Sequence, residues 1–189
     1  MSTPLLRNSL AAGTLAVSLL VVPACSSKSS NSATDMSAAT SSASPTSSAE
    51  AVKFAKTKFV ANASLAAGAF YQWLYKPFKA GTFKSGAKGR TLALVKGGLA
   101  GAFTYNRLSA ALTDAKGDPT LSKATGALSA SVASLKGLAS KVRGGTATDA
   151  DFNQGNNVIN SIKSAGAANG ATVTDNVPSA GQLTQMVSS

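Results

Sequence analysis

The chain has 189 residues, a formal net charge of +11 and no histidine. The missing histidine removes imidazole general bases, Ser-His-Asp triads and most zinc and haem ligation. One cysteine excludes an internal disulfide, and seven acidic residues scattered along the chain supply a paired-carboxylate site poorly. No enzyme activity, no metal and no cofactor are therefore expected. The basic balance points to anionic partners, such as phospholipid head groups or phosphate-bearing wall polymers.

Arg7 precedes an uncharged, mainly apolar stretch of about 13 residues from Leu10 to Val22, and Pro23, Ala24 and Cys25 follow it. A membrane-spanning helix needs roughly 20 apolar residues, so this stretch suits a signal-peptide core instead. Val22-Pro23-Ala24-Cys25 resembles the processing site of bacterial lipoproteins, with Pro23 standing where a small residue is usual. The resemblance implies that residues 1–24 are a signal peptide and that Cys25 becomes the acylated first residue. It implies palmitate-type chains, a membrane anchor and an extracytoplasmic location. Two or three acyl chains hold a protein stably where one gives marginal binding. An exported protein rarely meets nucleic acid, so none is expected as a partner. The resemblance covers residues 1–25 and names no activity.

Residues 26–49 hold eleven serines in 24 positions, with Met36 the one large apolar side chain. Such a segment buries too little apolar surface to offset its ordering entropy, and it reads, with Cys25, as a flexible tether over residues 25–49.

From Glu50 onward the periodicity is helical and the chain reads as all-α. Val52, Phe59, Ala63, Ala66, Phe70 and Trp73 fall on one face of a first helix from Glu50 to Lys76. Pro77 is expected to end or kink it. A second helix starts between Ala87 and Arg90 and stops before Gly117. Its apolar residues, Leu92, Val95, Leu99 and Phe103 with Leu94, Tyr105, Leu108 and Leu112, cover two adjacent faces, as in a helix buried on most sides. Gly97, Gly98 and Gly101 in mid-helix each cost about 1 kcal/mol relative to alanine. Close approach of a neighbouring helix is the expected compensation.

Asp118 and Pro119 start a third helix, and Gly144-Gly145 end it. Leu121, Thr125, Leu128, Val132, Leu135, Ala139 and Val142 form a seam of alternating four- and three-residue steps along it. Thr148 with Asp151 resembles a capping box for a fourth helix, whose face is Phe152, Gly155, Ile159, Ile162 and Gly166. These elements predict a four-helix bundle over residues 50–170. Residues 171–189 are polar and read as a loosely ordered tail, with a helical turn near Leu183.

The most informative local stretch runs from Tyr71 to Arg90. It holds five of the eleven aromatics, Tyr71, Trp73, Tyr75, Phe78 and Phe83, interleaved with Lys76, Lys79, Lys84, Lys88 and Arg90. Lysines meet phosphates while Trp and Tyr rings sit at head-group level, so Lys76, Lys79, Lys84, Lys88, Arg90, Trp73 and Tyr75 form a candidate anionic-surface site. The other reading of the stretch is that Phe70, Trp73 and Phe78, at helical spacing, plug one end of the bundle, with the lysines as a solvated rim. Gly81 to Lys88 imitates a phosphate-binding loop, but its lysine is displaced by one position and no strand precedes it.

The sequence thus reads as a lipid-anchored binding or structural module of the cell envelope. Two other roles stay open: a carrier of a lipid or small apolar ligand within the bundle, and an adaptor or inhibitor that docks an envelope protein.

Overall fold

The structure, a computed structural model, describes residues 48–185, and its regular elements there are all helical. Cleavage before Cys25, acylation of Cys25 and residues 25–47 of the tether lie outside the described residues. The elements are α1 (Ser48–Phe70), a π-helical turn (Tyr71–Tyr75), α2 (Lys76–Lys79), α3 (Arg90–Ala115), α4 (Pro119–Ala133), α5 (Leu138–Gly144), α6 (Asp149–Ala168) and α7 (Ala180–Gln185). None of these helices is long and apolar enough to cross a membrane.

Packing follows the small residues. α1 lies chiefly on α3, α3 also meets α4 and α5, α4 meets α6, and α6 returns to α1. Phe59 and Phe70 of α1, Phe103 and Leu108 of α3, Leu121 of α4 and Phe152 and Ile162 of α6 are almost fully buried between them. The glycine seam of α3 takes α5. A methyl group at Gly101 would stand 2.9 Å from the Ala139 Cα, and one at Gly97 would stand 2.8 Å from a Val142 methyl. The helix penalty of these glycines is thereby offset by close packing.

Five sequence expectations about the fold need correction. First, of the two outcomes expected at Pro77, an end or a kink, the helical stretch does not end there. The Lys76 N–H donates to the Tyr71 carbonyl, five residues back, and this wider turn leads into α2 with Pro77 inside it. An α-helical proline would collide with the carbonyl four residues earlier, and a π turn displaces that carbonyl. Second, the third helix is broken. Leu135 and Leu138 are both buried, and tight turns over Ser134–Gly137 re-aim α5 from the α4 direction onto the seam of α3. Third, Leu92 and Val95 do not face a helix; they are 59% and 47% exposed.

Fourth, the tail is packed as far as it is described. Ala171, Val173, Pro178 and Leu183 are buried. The Asn176 N–H donates to the Ser64 carbonyl at 3.0 Å, and the Thr174 N–H donates to the Ser64 hydroxyl at 3.1 Å. Gly68 of α1 makes room for this strap, because a side chain there would overlap the Asn176 carbonyl. Fifth, the α-helical chain starts at Ser48, so Ser48 and Ala49 belong to α1 and not to the tether.

Candidate functional site

The loop between α2 and α3 is built from the inside. Phe78 and Phe83 both stack on Phe152, with centroid distances of 4.3 and 5.6 Å. Phe152 is 1% exposed, so these rings close one end of the core. Successive turns carry the backbone across this plug, with Thr82 N–H on Pro77, Lys84 N–H on Gly81 and Ala87 N–H on Lys84. Gly81, Gly86 and Gly89 all have positive φ, which glycine adopts without strain.

The proposed site residues divide between three places. Lys79 at the end of α2 and Lys84 and Lys88 on the loop are exposed and make no ion pair among the described residues. Lys76 is also exposed, but it donates to the Gln72 side chain at 3.2 Å and lies 5.6 Å over the Tyr71 ring. Arg90 turns inward. Its Nε donates to the Phe83 carbonyl at 3.0 Å, and its guanidinium lies against Gly145 beyond the end of α5. It is a strut of the loop more than a contact for solvent.

The two aromatics of the proposed site are not neighbours. Tyr75 stacks with Phe70 and Tyr71 and leans on Phe78, on the side that meets α6. Trp73 faces α3 instead: its Nε1 donates to the Pro178 carbonyl at 3.3 Å, and Lys96 lies 5.8 Å over its ring. Around Trp73 an open cleft of about 300 Å³ is lined by Gln72, Pro77, Thr82, Gly89, Leu92, Ala93 and Lys96. Sequence reading missed Leu92, Lys96, Gln72 and Thr82 as cleft residues. Their signal was faint, because Leu92 and Lys96 are one helical turn apart on a face that looked like core.

Charge is uneven. Between Glu50 and Asp114 the sequence contains no acid. Asp114 accepts from the Asn62 amide at 2.8 Å, and Arg107 donates to the other end of that amide at 2.7 Å. Asp175 pairs with Lys163 at 2.7 Å. Asp151 caps α6 with Thr148 and takes Lys141 at 2.6 Å. The Lys141 hydrogen bond first, then the Thr148 amide, hold its carboxyl down to about 2 against the effect of burial. Asp149 is exposed in the first turn of α6 and makes no ion pair among the described residues. No group of three metal-ligating side chains occurs among the described residues.

The chain matches no protein-family model, no curated protein and no solved structure.

Proposed function

We propose that the protein is a lipid-anchored, extracytoplasmic module of the bacterial cell envelope that meets a polyanionic surface through the loop between α2 and α3. The observation that carries this reading is the loop itself. Lys79, Lys84 and Lys88 project from a backbone fixed by the Phe78, Phe83 and Phe152 stack, with no carboxylate among the described residues paired to them. Cations held on a rigid platform keep more of their attraction, because less side-chain and backbone freedom is lost on contact. The signal peptide and acylated Cys25 would hold the domain at the membrane. A serine-rich tether of this length spans about 25–30 Å by flexible-chain scaling, enough to reach either the lipid head groups or nearby wall.

The domain is read as a four-helix bundle in which α4 and α5 together form the third member, supported by the closed order of helix packing. A carrier role is less well supported. The gap inside the core beside Phe83 and Phe152 has a volume of about 20 Å³, room for a water and not for a lipid chain, and the larger clefts, of about 300 Å³ at Trp73 and about 470 Å³ between Lys53 and Thr172, lie open at the surface.

The test has two arms. Labelled fatty acid should be incorporated into the wild-type chain and lost in Cys25→Ser; undiminished labelling of the variant would remove the anchor. For the surface, the unacylated full chain would be titrated with phosphatidylglycerol-rich vesicles and with poly(glycerol phosphate). Each lysine near such a surface is worth about 1 kcal/mol, so replacing Lys79, Lys84 and Lys88 together by glutamine should weaken binding at least tenfold. Replacing Lys116, Lys123 and Lys136, equally exposed elsewhere, should do much less. Equal loss from both sets would make net charge the sole cause and end the role of the loop.

A further inference from the structure

The cleft around Trp73 differs in kind from the lysine-bearing loop beside it. It is concave, and it contains one aromatic face, two short polar side chains and one cation. Lys96 is partly buried there and has no carboxylate among the described residues. Its Nζ lies over the Trp73 ring at 5.8 Å, a contact that orients the ammonium without neutralising it. Gln72 and Thr82 supply an amide and a hydroxyl at the rim, while Pro77, Leu92 and Ala93 make the walls apolar.

Trp73 is also fixed in a way that argues against insertion into a bilayer. Its indole N–H is already given to the Pro178 carbonyl, so the ring is tied to the C-terminal strap. An interfacial tryptophan keeps that N–H for head groups and water. Phe78 and Phe83, the other apolar rings of the stretch, are spent in the core plug. Tyr71 is exposed but lies flat against Tyr75 with Lys76 over its ring, and Trp73 stands in a recess.

We propose that this cleft binds a sugar carrying a phosphate or carboxylate, as one unit of an anionic envelope glycan. A sugar ring presents C–H bonds on its flat face, which suit Trp73 and Leu92, and hydroxyls at its edge, which suit Gln72 and Thr82. Its anionic substituent meets Lys96 in a charge-assisted hydrogen bond. A volume of about 300 Å³ is at the lower end of small-ligand sites and holds a single sugar with its substituent. Gly89 lines the cleft and Lys88 stands next to it, so further charged units of the same polymer would run from the cleft onto the loop lysines. The proposal rests on the envelope-surface reading and gives that surface a chemistry.

Trp73 is the chain's one tryptophan, so its fluorescence reports the cleft directly. The unacylated full chain would be titrated with glucose 6-phosphate, glucuronate, glucose, inorganic phosphate and phosphatidylglycerol vesicles. At least one anionic sugar should change the emission saturably and bind at least tenfold tighter than glucose or inorganic phosphate. Lys96→Gln should weaken that binding at least tenfold with an unchanged circular dichroism spectrum, and Lys136→Gln should leave it alone. Equal response to inorganic phosphate, a response to vesicles only, or none at all would each overturn the sugar site. Loss of the sugar site with lysine-dependent binding to vesicles intact would leave the surface reading standing. Sugar binding that survives while the loop lysines prove irrelevant would do the reverse.

Discussion

The two ends of the domain both carry lysine and use it in opposite ways. Where α1 begins and α3 and α6 finish, Lys56 donates to the Asn169 carbonyl at 2.9 Å and lies 3.6 Å from Asp118. It ties the last turn of α6 to the first turn of α4. Where α1 finishes and α3 begins, Lys79, Lys84 and Lys88 stand in solvent over a plug of aromatic rings. The first end is closed by polar capping, the second by apolar stacking. A lysine is structural where a buried carboxylate and free helix carbonyls await it, and it is available for a partner where neither does.

The largest effect should come from removing the ring that closes the apolar end. Phe152→Ala deletes the member that both Phe78 and Phe83 touch, and a Phe-to-Ala change in a core costs about 3–5 kcal/mol. Denaturant unfolding should show that loss. Amide exchange sharpens the comparison, because the amides of residues 80–90 should lose protection well before those of Leu121 and Ser122 at the polar end. Uniform loss of protection would mean that the two ends are not separately closed.

The polar end has its own test, smaller in size. Asp118 is 1% exposed and accepts from the Thr120 and Leu121 amides and the Thr120 hydroxyl. Asp118→Ala should cost about 1–2 kcal/mol, the upper part of the range for a lost N-cap. Acid should expose the same dependence. Burial pushes the Asp118 carboxyl up, but the Thr120 hydroxyl, the Leu121 and Thr120 amides and Lys56 outweigh it, and the net shift is down. Asp151 is also held down, at about 2. Both groups take up protons more readily unfolded than folded. Their contribution is therefore complete above the unfolded carboxyl value of about 3.9 and fades as pH falls toward 2. Unfolding free energy should decline across that window, and Asp151→Asn should flatten the decline. A stability profile level from neutral pH to about 2 would contradict both assignments.

What the sequence made legible was local. Asp118-Pro119 and Thr148 with Asp151 form the predicted caps because a cap is decided by residues three apart. The buried face of α6 followed its periodicity in the same way. The break at Ser134–Gly137 was not legible, because Leu135, Ala139 and Val142 continue a perfect seam past it. It is set by the glycines of α3, more than thirty residues away in sequence. The strap was hidden by its polarity: it is held through backbone bonds to Ser64, which leave little trace in side-chain pattern. At the candidate site, the lysines were legible, and Trp73 and Tyr75, two residues apart, fall on opposite sides of a helix in any case. What was not legible is that Trp73 meets the C-terminal strap and Lys96, contacts made by residues distant in the chain.

The smallest effects decide the comparison most directly, since they concern single lysines of the same chemistry. Lys56→Gln removes a cation from a carboxylate that is 1% exposed, and it also removes a donor from the Asn169 carbonyl. Asp118 keeps its three capping hydrogen bonds, so its charge is not stranded, and a cost of about 1 kcal/mol is expected, near the top of the range for partly exposed ion pairs. Lys84→Gln touches an exposed side chain with no ion pair among the described residues and should change stability by less than about 0.5 kcal/mol. The salt dependence should differ as well. The Debye length falls from about 10 Å at 0.1 M to about 3 Å at 1 M, so vesicle binding through the loop should fade with salt. The Lys56 contribution, made at short range beside a buried group, should persist in unfolding measurements at the same salt. Equal stability losses at Lys56 and Lys84 would show that the loop lysines are also part of the fold. They would then be poor candidates for a surface that binds anything.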